Sequence, residues 1–71
     1  MMRFNEISNV VRQRRRALNL TQIELADLAE VSERLIRDLE SGRSTVRTDK
    51  LLAVLAALGL EIKINRTHGE N

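Results

Sequence analysis

Apolar residues recur every three or four positions along most of this chain, and this spacing predicts four amphipathic helices. The helices run over residues 6–18, 21–29 and 32–41, and over a fourth stretch that begins at 46–49 and ends before Gly59. The residues expected to face inward are Ile7, Val11, Ala17, Leu18, Leu25, Ala26, Leu28, Ala29, Ile36, Leu39, Leu51, Leu52, Val54, Leu55 and Leu58.

Capping residues mark where the helices begin and end. Thr21 and Glu24 form a T-x-x-E capping box, which satisfies two backbone N–H groups at the start of the second helix. Ser32 has a side chain suited to capping the third helix, and Asn5 and Thr48 are the candidate caps of the first and fourth. Residues that accept a left-handed backbone follow three of the helices: Asn19, Gly42 and Gly59.

The central residues 21–41 predict two short helices joined by a tight turn at Glu30 and Val31. This is the layout of a helix-turn-helix, whose second helix enters the major groove of DNA. The segment from Ser32 to Ser41 is therefore the predicted recognition helix.

After the fourth helix the apolar period changes to that of a strand, because Leu60, Ile62 and Ile64 alternate with polar residues. A lone strand in an otherwise helical chain has no ladder partner, and an unpaired apolar edge is a liability. We predict that residues 60–64 pair with the same strand of a second copy across a two-fold axis. The alternative is an extended tail packed on the fourth helix. Residues 65–71 form a polar tail.

The composition indicates one small domain over residues 1–71, with a core at 6–59. A core of this size is marginal, so oligomerisation is expected to contribute to stability. The chain has no cysteine, and we interpret its one histidine, His68, as a solvated tail residue. We find no nucleophile–base set, metal cluster or phosphate loop, so we expect no enzyme activity, cofactor or metal. No segment predicts a membrane span or signal peptide, and we expect a cytoplasmic protein.

Charge is distributed unevenly along the chain, although the net charge is only +2. Residues 1–20 carry +4, residues 21–31 carry −3 and residues 32–50 carry +1. A one-sided basic surface is what contact with nucleic-acid phosphates requires. The alternative is a solvated helix surface of mixed charge. The cations concerned lie mostly in the first helix: Arg12, Arg14, Arg15 and Arg16.

A set of residues at fixed spacing carries a family resemblance. The set is Leu20-Thr21-Gln22, Leu25-Ala26, Val31-Ser32, Ile36, Leu39-Glu40, Gly42, Leu51-Leu52 and Ala57-Leu58-Gly59. With these residues the chain resembles the Xre/lambda-repressor-like helix-turn-helix family. The resemblance implies an all-α domain of four to five helices, here with one short C-terminal strand. The short length and the predicted strand also make the chain similar to HipB-type antitoxins.

The resemblance implies a sequence-specific repressor that binds double-stranded DNA as a homodimer and represses its own operon. The likeness to HipB implies in addition a HipA-type kinase toxin as partner. A phage-type or stand-alone repressor without a toxin is the alternative. A third possibility is a protein-interaction module that inhibits a toxin, with DNA binding secondary.

The resemblance also implies site residues. Base readout falls on Glu33, Arg34, Arg37 and Asp38 of the recognition helix. Phosphate contacts fall on Thr21 and Gln22 at the start of the second helix, and a structural ion pair falls on Arg15 and Glu40. Beside the resemblance, we also predict phosphate contacts at Ser32 and in the loop after the recognition helix, at Arg43, Ser44, Thr45 and Arg47. The two cations and two hydroxyls of that loop suit phosphates beside the groove, and a solvated loop is the alternative.

Arg34 has the side chain best suited to reading a base, because its planar fork matches guanine O6 and N7. A phosphate contact or a solvated charge is the alternative. Glu33 is able to accept from a cytosine amine, or else it stabilises the helix dipole as an acid in the first turn.

Two positions depart from the family pattern. Glu30 occupies a turn position that is usually glycine, where a positive φ costs about 1 kcal/mol. Arg14 occupies a position that is often apolar, so its side chain must extend past the core or reach DNA.

Overall fold

The computed structural model describes residues 4–42 and 46–61 and contains four α-helices in those ranges. In chain order they are α1 (Phe4–Ala17), α2 (Gln22–Ala29), α3 (Glu33–Glu40) and α4 (Thr48–Ala57). The all-α prediction is confirmed for this part of the chain. Leu60 and Glu61 belong to no helix or strand. The rest of the predicted strand and the polar tail lie outside the described residues.

The N-terminal ends of α2 and α3 follow the predicted caps. Thr21 Oγ1 accepts a hydrogen bond from the Glu24 N–H at 3.0 Å, and the Thr21 N–H donates to Glu24 Oε1 at 2.7 Å. The Ser32 Oγ accepts from the Leu35 N–H at 3.1 Å. Both hydroxyl residues have extended backbones, as N-caps do.

Two of the predicted caps are wrong. α1 already includes Phe4, so Asn5 lies inside the helix. Arg47 holds the N-cap position of α4 with φ −61° and ψ 141°, and Thr48 is the first helical residue. No side-chain hydrogen bond caps α4. The Arg47 guanidinium instead pairs with Asp49, 3.2 Å from Nε to Oδ1. Asp49 is an acid in the first turn of α4, where the helix dipole favours a negative charge.

The core forms where the four helices meet. Ala26 and Ala29 are small, which lets the backbone of α2 approach the neighbouring helices closely. The Ser8 hydroxyl is buried and donates to the carbonyl of Leu39, joining α1 to α3. The buried apolar residues are Val11, Leu25, Ala26, Ala29, Ile36, Leu39, Val54, Leu55 and Leu58.

Four residues predicted to face inward are exposed: Ala17, Leu18 at 41%, Leu28 at 60% and Leu52 at 46%. Ala17 is the last residue of α1 and Leu18 follows it. Leu28 is exposed because α2 packs on α3 and α4 through a narrow face that contains Leu25 and Ala29. Leu28 lies at the edge of that face, because residues three apart on a helix differ by about 60° in direction.

The turn between α2 and α3 depends on a left-handed residue. Glu30 has φ 58° and ψ 43°, and its N–H donates to carbonyls of the last turn of α2. The Val31 N–H then donates to Ala26 at 3.0 Å, which closes the turn. The departure from glycine therefore places a side chain in a conformation that costs about 1 kcal/mol. Asn19, Gly42 and Gly59 also have positive φ, as expected of residues that end helices.

Candidate nucleic-acid interface

The recognition helix α3 is amphipathic. Ile36 and Leu39 are fully buried against the other helices. The opposite face carries the four residues predicted to read bases: Glu33, Arg34, Arg37 and Asp38. All four retain solvent exposure, and the side chain of Arg34 is 84% exposed. The structure therefore brings this predicted set together on one outward face.

The charged residues on this face form two ion pairs along the helix. Arg34 Nε lies 4.0 Å from Asp38 Oδ2, and Arg37 Nη1 lies 3.7 Å from Glu33 Oε2. Each pair joins residues one turn apart. Exposed pairs of this kind contribute only roughly 0.3–0.5 kcal/mol to the stability of a helix.

A buried ion pair fixes the C-terminal end of α3 to α1. Arg15 donates from Nε to Glu40 Oε2 at 2.6 Å and from Nη2 to Glu40 Oε1 at 2.9 Å. The side chain of Glu40 is only 4% exposed and that of Arg15 only 11%. Arg15 Nη1 also donates to the carbonyl of Leu20 at 2.8 Å, and Gln22 Nε2 donates to Glu40 Oε1 at 3.2 Å. These bonds connect α1, α2 and α3 at one point.

The surroundings of Arg15 favour its charged form. The hydrogen bonds to Glu40 raise the pKa of the Arg15 guanidinium above its ordinary value, although burial opposes that shift. The two-pronged geometry is the strongest arrangement available to an arginine and a carboxylate. The pair consequently positions α3 relative to the rest of the domain.

The predicted phosphate contacts Thr21, Gln22 and Ser32 lie at the N-terminal ends of α2 and α3. A helix N-terminus presents unpaired N–H groups and a partial positive charge. The Thr21 N–H is already bonded to Glu24, and the Gln22 side-chain amide is bonded to Glu40. The groups that can still donate to a phosphate include the Thr21 and Ser32 hydroxyls, each of which only accepts a bond within its own helix, and the Gln22 backbone N–H.

A basic depression lies between α1 and α3. Glu40, the only acid in its lining, is already neutralised by Arg15. The depression therefore has a net positive charge and suits an anion. Its lining consists of Arg12, Arg15, Arg16, Gln22, Arg37, Glu40 and Ser41.

A second depression lies between α3 and the start of α4. It brings Arg34 and Asp38 beside Arg47 and Lys50, around an apolar floor that includes Leu35. Leu35 is half-buried and packs against the core. Sequence reasoning missed Lys50 and Ser41 as members of these depressions. The basic loop before α4 was the available signal for Lys50, whereas nothing in the sequence marked Ser41.

The remaining predicted residues fall in different places. Arg14 donates from Nε to the carbonyl of Leu58 at 3.0 Å, so it caps the end of α4. Arg47 pairs with Asp49, as described above. Three predicted phosphate contacts lie outside the described residues: Arg43, Ser44 and Thr45.

Within residues 4–42 and 46–61 no group of three acidic, histidine or cysteine side chains is placed to hold a metal ion. In the same ranges no helix combines the length and apolar character that a membrane crossing needs.

Comparisons with known proteins agree with this geometry. A helix-turn-helix family profile matches residues 11–64, which include the whole of α2, α3 and α4. An uncharacterized HTH-type transcriptional regulator of Sinorhizobium fredii, y4mF, is 46% identical over 59 residues. The aligned part covers 83% of this chain and 78% of that protein.

Proposed function

The chain belongs to the Xre/lambda-repressor-like helix-turn-helix family, and from this premise we propose that it is a sequence-specific repressor of transcription. The family and the relative support a DNA-binding transcriptional regulator. We further propose that it represses its own operon and acts in the cytoplasm.

One observation carries this proposal: α3 presents four charged side chains outward, while a buried ion pair anchors its C-terminal end. A helix that enters the major groove must be rigid relative to the parts of the protein that grip the backbone. Arg15 and Glu40 connect α3 to α1, whose arginines line the basic depression. The arginines that we propose to contact phosphates and the helix that we propose to read bases are therefore joined directly to each other.

We propose that the protein binds as a homodimer joined through residues 60–64. Two copies related by a two-fold axis require a pseudo-palindromic operator, with half-sites about one helical turn apart or a multiple of it. The support is the alternation of Leu60, Ile62 and Ile64 in the sequence. Measuring the mass of the full chain in solution tests this, and a monomer at micromolar concentration contradicts it.

We propose that the protein is a HipB-like antitoxin whose partner is a HipA-type kinase toxin. The support is the resemblance in length and in the sequence that follows Gly59. The partner surface would lie away from α3, on the outer positions of α1 and α4 or in the tail. The alternative, a stand-alone or phage-type repressor, predicts no kinase-like gene beside this one.

Selection of bound sequences from a random duplex library tests the DNA-binding proposal directly. We expect the purified full chain to enrich a pseudo-palindrome at low ionic strength. Arg34→Ala should relax base preference at one position of each half-site, at a cost of about 1–3 kcal/mol there. A protein that retains no duplex at low ionic strength contradicts the proposed function.

A further inference from the structure

The two arginines on the outer face of α3 use different atoms toward their carboxylate partners. Arg34 turns Nε toward Asp38, 4.0 Å from Oδ2. Arg37 turns its terminal Nη1 toward Glu33, 3.7 Å from Oε2. The ion pairs therefore occupy the Nε edge of the Arg34 guanidinium and the Nη tip of the Arg37 guanidinium.

This difference matters because a guanidinium reads guanine with two parallel N–H donors. The tip of the side chain, Nη1 and Nη2, is the edge that extends furthest from the helix. With Nε facing Asp38, both donors at the tip of Arg34 stay available. In Arg37 one of the two tip donors faces a carboxylate instead.

We propose that Asp38 is a positioning residue that orients Arg34 to read guanine, whereas Glu33 holds the tip of Arg37 away from the bases. This inference rests on the proposed DNA-binding function and assigns different roles to four residues that share one face. Arg34 is 84% exposed, and within the described ranges Asp38 is its only ion-pair partner. Without Asp38, the long side chain of Arg34 would lose the ion pair that restricts its direction.

Asp38 also changes how the protein binds unrelated DNA. Arginine has five N–H donors, so Arg34 can keep Asp38 at Nε while its tip donates to guanine. On a sequence without that guanine, Arg34 is left to meet phosphate, and the Asp38 carboxylate then lies close to the same negative charge. Asp38 thus favours the guanine-containing site and disfavours other sites.

The test compares Arg34→Ala, Asp38→Asn and Glu33→Gln on duplexes that carry the sequence selected by the wild-type protein. Each base pair of the half-site is substituted in turn, and a random-sequence duplex measures unspecific binding. Glu33→Gln is the matched control, because it removes the same charge from the same face of α3. Thermal unfolding of each variant checks that the fold is retained.

We expect Arg34→Ala and Asp38→Asn to lose preference at the same base pair, with Asp38→Asn losing at least threefold. Asp38→Asn should bind the random duplex up to roughly fivefold more tightly. This factor corresponds to the interaction of two unit charges about 4 Å apart in water. Glu33→Gln should keep the preference at that base pair.

Three results would overturn the inference. Asp38→Asn could change preference at a base pair that Arg34→Ala leaves untouched, which would make Asp38 itself a reader. Asp38→Asn and Glu33→Gln could behave alike, which would reduce both to general charge effects. Arg34→Ala could keep the full preference. A wild-type protein that selects no sequence is a separate outcome, which removes the proposed function and this inference together.

Discussion

The buried and the exposed face of the recognition helix carry the same type of ion pair in opposite environments. Inside, Arg15 and Glu40 are joined by two hydrogen bonds of 2.6 and 2.9 Å and are almost fully covered. Outside, Arg34 and Asp38 approach only to 4.0 Å, with 84% of the arginine exposed. The inner pair positions the helix, whereas the outer pairs lie in solvent, where a ligand can reach them.

This contrast shows that burial, and not residue type, decides what an ion pair does. A buried carboxylate loses its hydration and must keep every partner, so removing one partner is costly. An exposed carboxylate is solvated whether or not its partner is present. The sequence Glu-Arg-Leu-Ile-Arg-Asp-Leu-Glu holds both kinds of acid within eight residues.

The largest effect that separates the two environments should come from Glu40→Ala. We expect the free energy of unfolding to fall by about 3–5 kcal/mol, because Arg15 would remain buried without its counter-ion. Urea unfolding followed by circular dichroism measures this. The double variant Arg15→Met, Glu40→Leu is the control and should recover most of the loss. A fall of less than about 1 kcal/mol for Glu40→Ala would show that the inner pair does not behave as buried.

A smaller effect should come from Gln22, which connects the inner pair to α2. Gln22→Ala removes one hydrogen bond to the buried carboxylate, and we expect a loss of about 1 kcal/mol. Duplex binding should weaken equally for all sequences, because Gln22 lies at the end of α2 that we propose to contact phosphates and not bases. A changed base preference in this variant would contradict that placement.

The turn before α3 offers a test that does not involve either pair. Glu30→Gly should raise the free energy of unfolding by about 0.5–1 kcal/mol, because glycine adopts φ 58° without the clash of a side chain. Glu30→Ala is the control, since alanine keeps the clash and should bring no gain. Equal stability of the two variants would mean that the left-handed residue is not strained.

The smallest stability effect is expected at the outer pairs. Glu33→Gln should change the free energy of unfolding by less than about 0.5 kcal/mol, and added salt should reduce that change further. Glu40→Gln provides the comparison at the buried site, with the same chemical change. A loss above about 1 kcal/mol for Glu33→Gln would remove the distinction between the two regions.

Local sequence signals predicted most of the fold. The capping box of Thr21 and Glu24, the Ser32 cap and the left-handed Gly59 depend on neighbours within one helical turn, so their residues alone indicate them. Thr48 was predicted as the cap of α4, but the helix starts one residue earlier than that. Arg47 holds the N-cap position with an extended backbone.

The sequence indicated which residues share the outward face of α3, but not which contacts each of them makes. The family resemblance placed Glu33, Arg34, Arg37 and Asp38 on that face. Spacing does not tell which atom of an arginine faces which carboxylate, because that choice depends on side-chain rotamers. Nor did it show that Arg14 caps α4, since its acceptor, the carbonyl of Leu58, lies 44 positions away.

By itself, the order of the residues determined that four helices form, where α2 and α3 begin, which faces are polar and which family the chain resembles, since these properties depend on short-range spacing and on capping side chains. Only the tertiary structure decided which charges are buried, which leucines stay in water and which donors are already used. Those outcomes depend on contacts between residues far apart in the chain, and such contacts form only when α1, α2, α3 and α4 pack together.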